Sequence, residues 1–211
     1  MQAGNITFRK HENKTIAFHS GQLLKRLLMV KGMSEYPPGS REDRKTLADM
    51  PMEKLFDYFF LQIRNIWRVD GLYFLGIEKK FGTEAATEID AEVWESMAAI
   101  EAKSLQRMFK VGENPDVATI IGLLSKSSWA LDQPFKTIEI GNKRATLGID
   151  RCRTQEARLG KGLCEFPCKR VRFGYLKNFA KTLNPKVEVS CLVCPPDKHP
   201  SDSWCKWGFT I

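Results

Sequence analysis

All six cysteines of this 211-residue chain lie between Cys152 and Cys205, spaced Cys152-x11-Cys164-x3-Cys168-x22-Cys191-x2-Cys194-x10-Cys205. Thiols so crowded can form disulfides, ligate zinc or an iron–sulfur cluster, or present a reactive thiolate. The opening stretch MQAGNITFRKHENK has no apolar core of a secretory signal, which predicts a cytoplasmic protein, where structural disulfides are disfavoured. Metal ligation by some four of the six and thiolate chemistry then stand side by side. Only one C-x2-C pair is present, Cys191 with Cys194, and Pro195-Pro196 directly after it can turn the chain into a knuckle.

The six positions differ in chemistry. Cys168 directly follows Pro167 at the expected start of a helix, where free amides and the helix dipole favour a thiolate, and Lys169 and Arg170 add positive charge. It is the best single candidate for a nucleophile or a ligand. Cys205 alternates in phase with Trp207, Phe209 and Ile211, and Cys191 with Val187, Val189 and Val193, so both face the apolar side of strands. His199, in the loop CPPDKHP, is a candidate fourth ligand or base.

Two carboxylates interrupt apolar helix faces. Glu101 falls among Trp94, Met97, Ala98, Leu105 and Met108, and Glu78 among Phe74, Leu75 and Phe81. A buried carboxylate is costly unless paired, so each is either a structural ion pair, with Arg64, Arg68 or Arg107 as possible partners, or a ligand-recognition or acid–base group. Asp70, before Gly71, reads as a turn or cap residue.

These side chains need elements to hold them. Asp49 before Met50-Pro51 marks a helix entry, with helices expected to Val69, from Leu72 to Phe81, from Thr83 to Ile89, from Ala91 to Val111 and from Asp116 to Ser125. The period then changes to strands, Ser128 to Ile140 and Lys143 to Arg151 around Gly141-Asn142, a helix from Phe166-Pro167 to Leu183, and strands Lys186 to Val193 and Ser203 to Ile211. The expected class is α+β: a helical N-terminal half packed on a mostly antiparallel sheet, with one crossing helix and a cysteine-rich C-terminal segment. Residues 49–211 form one integrated domain in this reading, helical over 49–126 and sheet-bearing over 127–211.

Residues 1–48 read as a basic extension with a short helix around Gln22 to Val30. They hold nine Lys and Arg against four acidic residues, and so +5 of the net +8. No basic helix with interleaved stacking aromatics is present, so a nucleic-acid partner is not expected. No run approaches the roughly 18 apolar residues of a membrane span. The expected partners are a small-molecule ligand and a second copy of the chain.

The stretches NIWRVDGLYFLGIEKKFG (Asn65 to Gly82), EIDAEVWESMAAIEAKSL (Glu88 to Leu105), CRTQEARLGKGLCEFPCK (Cys152 to Lys169) and CPPDKHPSDSWCKWGFT (Cys194 to Thr210) resemble an uncharacterised family of prokaryotic cytosolic proteins. The C-terminal half more distantly resembles the vinyl-4-reductase (4VR) small-molecule-binding domain and the L-2-amino-thiazoline-4-carboxylic acid hydrolase family, through its ending Cys205-Lys206-Trp207-Gly208-Phe209. The resemblance implies an α+β ligand-binding fold whose cysteine site is Cys152, Cys168, Cys194 and Cys205, with zinc as the default metal and an iron–sulfur cluster as the alternative. The expected function is small-molecule binding beside that site, in a pocket lined by Glu78, Glu101 and Trp94. The alternatives are hydrolysis of a small cyclic amide or thiazoline, with Cys168 or a metal-bound water attacking and Glu101 or His199 moving the proton, and a thiol-based redox or regulatory role.

Overall fold

The structure, a computed structural model, describes residues 39–211; the helix expected around Gln22 to Val30 lies outside them. By its contacts the chain divides into two units that part between Leu55 and Phe56. In the described part of the first, helix α1 (Arg41–Ala48) is set by a capping box. The Ser40 hydroxyl accepts from the Asp43 amide at 3.0 Å, and the Asp43 carboxylate accepts from the Ser40 amide at 2.9 Å. Asp49 closes this helix rather than opening the next one.

Helix α2 (Met52–Met108) is two helical segments that meet at a kink at Gly82, where the sequence expects a helix to end, and it lacks the other interruptions the sequence suggests. Its only non-helical residue is Gly82, with φ 87 and ψ 166, a region open to glycine because it has no Cβ. Asp70-Gly71 does not interrupt the helix. A mid-helix glycine costs about 1 kcal/mol relative to alanine, and burial of the flanking Trp67 and Phe74 faces outweighs that cost. Ile89 and Asp90 likewise continue it. Lys110 then takes φ 53 just beyond the helix. Helix α3 (Val117–Leu124) is capped by Asp116, whose side chain accepts from the Thr119 amide at 2.8 Å.

Turns occupy much of 125–135, so the first strand is shorter than expected. Strands β1 (Lys136–Ile140), β2 (Arg144–Ile149), β3 (Glu188–Val193) and β4 (Cys205–Thr210) form one antiparallel sheet in the order β1-β2-β4-β3. The register pairs Ile149 with Cys205, Leu147 with Trp207 and Ala145 with Phe209, so both central strands bury the same face. Ile211 lies beyond β4 and is exposed. Two helices separate β2 from β3: α4 (Arg153–Leu159), which the sequence reading lacks, and α5 (Cys168–Leu183).

Along α5, Val171, Arg172, Tyr175, Leu176, Phe179, Ala180 and Leu183 are buried, the three- and four-residue spacing of one face. This face and α3 cover the sheet; Trp207, Phe209, Leu147 and Tyr175 are fully buried there. Each such side chain contributes roughly 1.5–3 kcal/mol by leaving water. The same helix also meets α2, with Trp94 and Tyr175 edge to face at 5.5 Å. The fold is α+β, helical in its N-terminal half. Among the described residues no helix is long and apolar enough to cross a membrane.

Candidate functional site

The site begins with how Cys168 is fixed. It is the first residue of α5, and two contacts anchor the chain around it. Gln155 of α4 clasps the Phe166 backbone, its side-chain amide donating to the Phe166 carbonyl at 2.9 Å and its carbonyl accepting from the Phe166 amide at 2.7 Å. The Lys169 amide donates to the Pro195 carbonyl at 2.8 Å, which sets the start of α5 against the segment leaving β3. Cys194 is thereby brought beside Cys168.

Cys152 precedes α4, Cys168 opens α5, Cys194 follows β3 and Cys205 begins β4. The Cys194 thiol lies beside Cys168 and Cys205, which act on its titration, while Cys152 lies within electrostatic reach of Cys168 and Cys205. Cys191 stands at the edge of the group and Cys164 is exposed. Donation from Cys194 holds the Cys168 thiol down to about 7; burial opposes this and the Arg172 guanidinium assists it. Cys194, as donor, is pushed strongly upward, and burial pushes Cys152 to about 12.

The metal expectation meets a geometric test here. Among the described residues no group of three or more His, Cys, Asp or Glu is arranged to hold a metal ion.

Arg172 lies one turn along α5 from Cys168 and is 3% exposed. Its guanidinium carbon is 4.5 Å from the Trp94 ring centre, 5.0 Å from Trp129, 5.2 Å from Tyr175 and 5.7 Å from Trp67. Ring faces stabilise such a desolvated cation, but Nε and Nη1 are buried without a hydrogen-bond partner. Its counter-charge comes from Asp70 and Asp90. Asp90 is raised to about 7 by burial and by the neighbouring Asp70 charge, and in its protonated form it donates to Asp70. Asp70 also accepts from Trp94 Nε1 at 3.1 Å. A residue expected in a turn is therefore an inward mid-helix carboxylate.

These groups border a cavity of about 620 Å3, the size of a small-molecule site. Cys152, Cys168, Cys205, Asp70 and Arg172 line it, with apolar walls from Trp67, Phe74, Trp129, Ile149, Leu163 and Phe166. Arg64, Arg68, Arg153, Arg158 and Lys161 also border it. Arg64 and Arg153 share Asp132, at 3.0 and 2.9 Å, and Arg68 bonds Asn65 at 2.8 Å.

The other residues expected in the site are placed differently. Glu101 does not line this cavity. It accepts from the Ser128 amide at 2.6 Å, the Ser128 hydroxyl at 3.2 Å and the Tyr175 hydroxyl at 2.8 Å, a fully occupied structural carboxylate with none of the expected arginine partners. Glu78 pairs with Arg158 through both oxygens, at 2.9 and 3.0 Å. That guanidinium beside it holds the carboxyl below its usual range, and Glu78 lies outside the main lining. Trp94 stands behind Arg172, in the enclosure rather than at the cavity wall. His199 also lies outside, packed on Trp204 at 4.7 Å. Its Nδ1–H donates to the Pro200 carbonyl at 2.9 Å and Nε2 faces Glu165 at 3.4 Å, which together favour the protonated ring.

Arg172, Asp70 and Asp90 are the members that sequence reasoning missed. A signal for Asp90 and Arg172 existed: Ala86, Asp90 and Trp94 are four residues apart, as are Cys168, Arg172 and Leu176, so each charge falls on an apolar helix face. No curated protein matches the chain. Residues 48–211 do match a family model, and over that span, most of its length, the chain belongs to the family of unknown function DUF6125.

Proposed function

We propose that the protein binds a small anionic molecule with an apolar body, its acidic group toward the cationic rim of the 620 Å3 cavity and its body among the aromatic walls. The charge of the lining carries this reading: six Arg and Lys side chains border the cavity against a single carboxylate, Asp70. Asp132 offsets part of the charge of Arg64 and Arg153, and Glu78 that of Arg158, which leaves Arg68 and Lys161 toward an incoming anion. Low-dielectric walls strengthen such attraction.

A hydrolase of a small cyclic amide or thiazoline shares part of this geometry, because Cys168 faces the cavity as a thiol of lowered pKa. Glu101 and His199 stand outside the lining and do not supply the proton such a reaction needs, so binding is the reading preferred. The cytoplasm is the compartment in which the thiols would stay free.

Calorimetric titration with 4-phenylbutyrate and with its neutral analogue 4-phenylbutanol tests the reading. The carboxylate is expected to bind one per chain and at least tenfold more tightly than the alcohol, and Arg68→Gln with Lys161→Gln should erase most of the difference. Equal binding of the two probes, or none, would overturn it.

A further inference from the structure

We propose that Cys168 and Cys194 form a dithiol–disulfide couple that reduces small disulfides carrying an acidic group, with Cys168 as the sulfur that meets the substrate and Cys194 as the sulfur that resolves it. The proposal rests on the cavity as a ligand site and names the class of ligand. Its geometric basis is the unequal placement of two adjoining thiols. Cys168 lines the cavity and Cys194 does not, being fully buried behind it. The Lys169 amide to Pro195 carbonyl bond, 2.8 Å, ties together the residues that directly follow each cysteine and so sets the two thiols side by side. One sulfur is reachable and its partner is not, the division of labour that two-step thiol–disulfide exchange requires. Arg172 lines the same cavity, 97% buried with two unpartnered nitrogens, and gives a negatively charged sulfur a neighbouring cation.

The reaction balances without a cofactor. The Cys168 thiolate attacks one sulfur of R–S–S–R, forming a Cys168–S–S–R bond and expelling RS−. Cys194 then loses its proton and attacks Cys168 Sγ, which forms the Cys168–Cys194 disulfide and expels the second RS−. Two protein thiols are oxidised by two electrons, the substrate is reduced to two thiols, and the proton from Cys194 leaves with the departing thiolate. A low-molecular-weight thiol in excess returns the protein to its dithiol form by the reverse exchange. The cationic rim selects acidic disulfides over neutral ones.

The test uses the full chain carrying Cys164→Ser, which removes the exposed thiol, with 5,5′-dithiobis(2-nitrobenzoate) as the acidic probe and 4,4′-dithiodipyridine as the neutral one. A fast phase releasing two equivalents of aryl thiol per chain is expected, with peptide mapping showing a 168–194 disulfide. Cys194→Ser should release one equivalent and keep the aryl group on Cys168, and Cys168→Ser should lose the fast phase. A fast phase that survives Cys168→Ser, a stable aryl adduct in the parent protein, or a disulfide between any other pair would overturn the proposal, and the parent protein alone gives the last two answers if a variant does not fold. Tight phenylbutyrate binding with no such disulfide would sink the redox couple and leave the ligand site standing. The couple with no preference between the two probes would instead sink the anion-binding reading.

Discussion

The Arg172 guanidinium lies over the Trp94 ring, its carbon 4.5 Å from the ring centre, while Trp94 Nε1 donates to Asp70, one of the carboxylates that balance Arg172's charge. One indole thus supports the cation through its face and the anion through its edge. Buried cation–π contacts are worth about 2 kcal/mol each, and loss of one partner of a buried charge pair costs about 3–5 kcal/mol.

Arg172→Met should therefore destabilise the protein by about 3–5 kcal/mol at pH 8, where Asp70 and Asp90 would be left without their counter-charge. The cost should shrink at pH 5. Without the guanidinium both carboxyls titrate still higher, hold protons in the folded state, and lose stability only as pH rises through that raised range. Urea unfolding at the two pH values checks this, and an equal loss at both would contradict it.

Asp90 carries its own pH signature. A carboxyl raised from 3.8 to about 7 on folding binds its proton more tightly in the native state, so its stabilising effect is complete below about pH 4 and is lost as pH rises toward 7. Asp90→Asn keeps a donor toward Asp70 and removes that titration. It should be near neutral at pH 4, stabilising on the order of 3 kcal/mol at pH 8, and should flatten the slope between; a slope unchanged from the parent would refute the assignment.

Alkylation of Cys168 by iodoacetamide should follow a midpoint near pH 7, set first by the Cys194 thiol that donates to it. Cys194→Ala removes that donor and should move the midpoint into the ordinary thiol range, about 8.5. Cys152, pushed up to about 12 by burial, should stay unmodified throughout. Mass spectrometry of the alkylated peptides separates the sites.

Glu101→Gln replaces a carboxylate that three donors address by a group with one acceptor oxygen and an NH2 that faces donors. The expected cost is about 2 kcal/mol, read as a melting temperature lower by roughly 4–8 °C, with phenylbutyrate binding intact. Lost binding in a stable variant would return Glu101 to the site.

The legible parts of the fold are those with one dominant period. The face of α5 from Val171 to Leu183 repeats at three and four residues, and Cys205, Trp207 and Phe209 alternate, so each is readable without its neighbours. Helix α4 was not legible, because RTQEARL has no apolar stripe and buries Gln155 and Arg158 only through partners distant in sequence, the Phe166 backbone and Glu78. Asp70-Gly71 misled for a related reason: local turn chemistry lost to the packing of both flanks of α2. Within the site, the placement of Cys168 at a helix start followed from Pro167. Asp70, Asp90 and Arg172 resemble surface charges one at a time, and their burial becomes intelligible only when opposite charges from α2 and α5 meet inside the aromatic enclosure.

That enclosure also makes the protein its own optical gauge. Trp67, Trp94 and Trp129, three of its five tryptophans, surround a single guanidinium one helical turn from Cys168, so intrinsic emission responds to charge or sulfur chemistry at that spot without any attached dye.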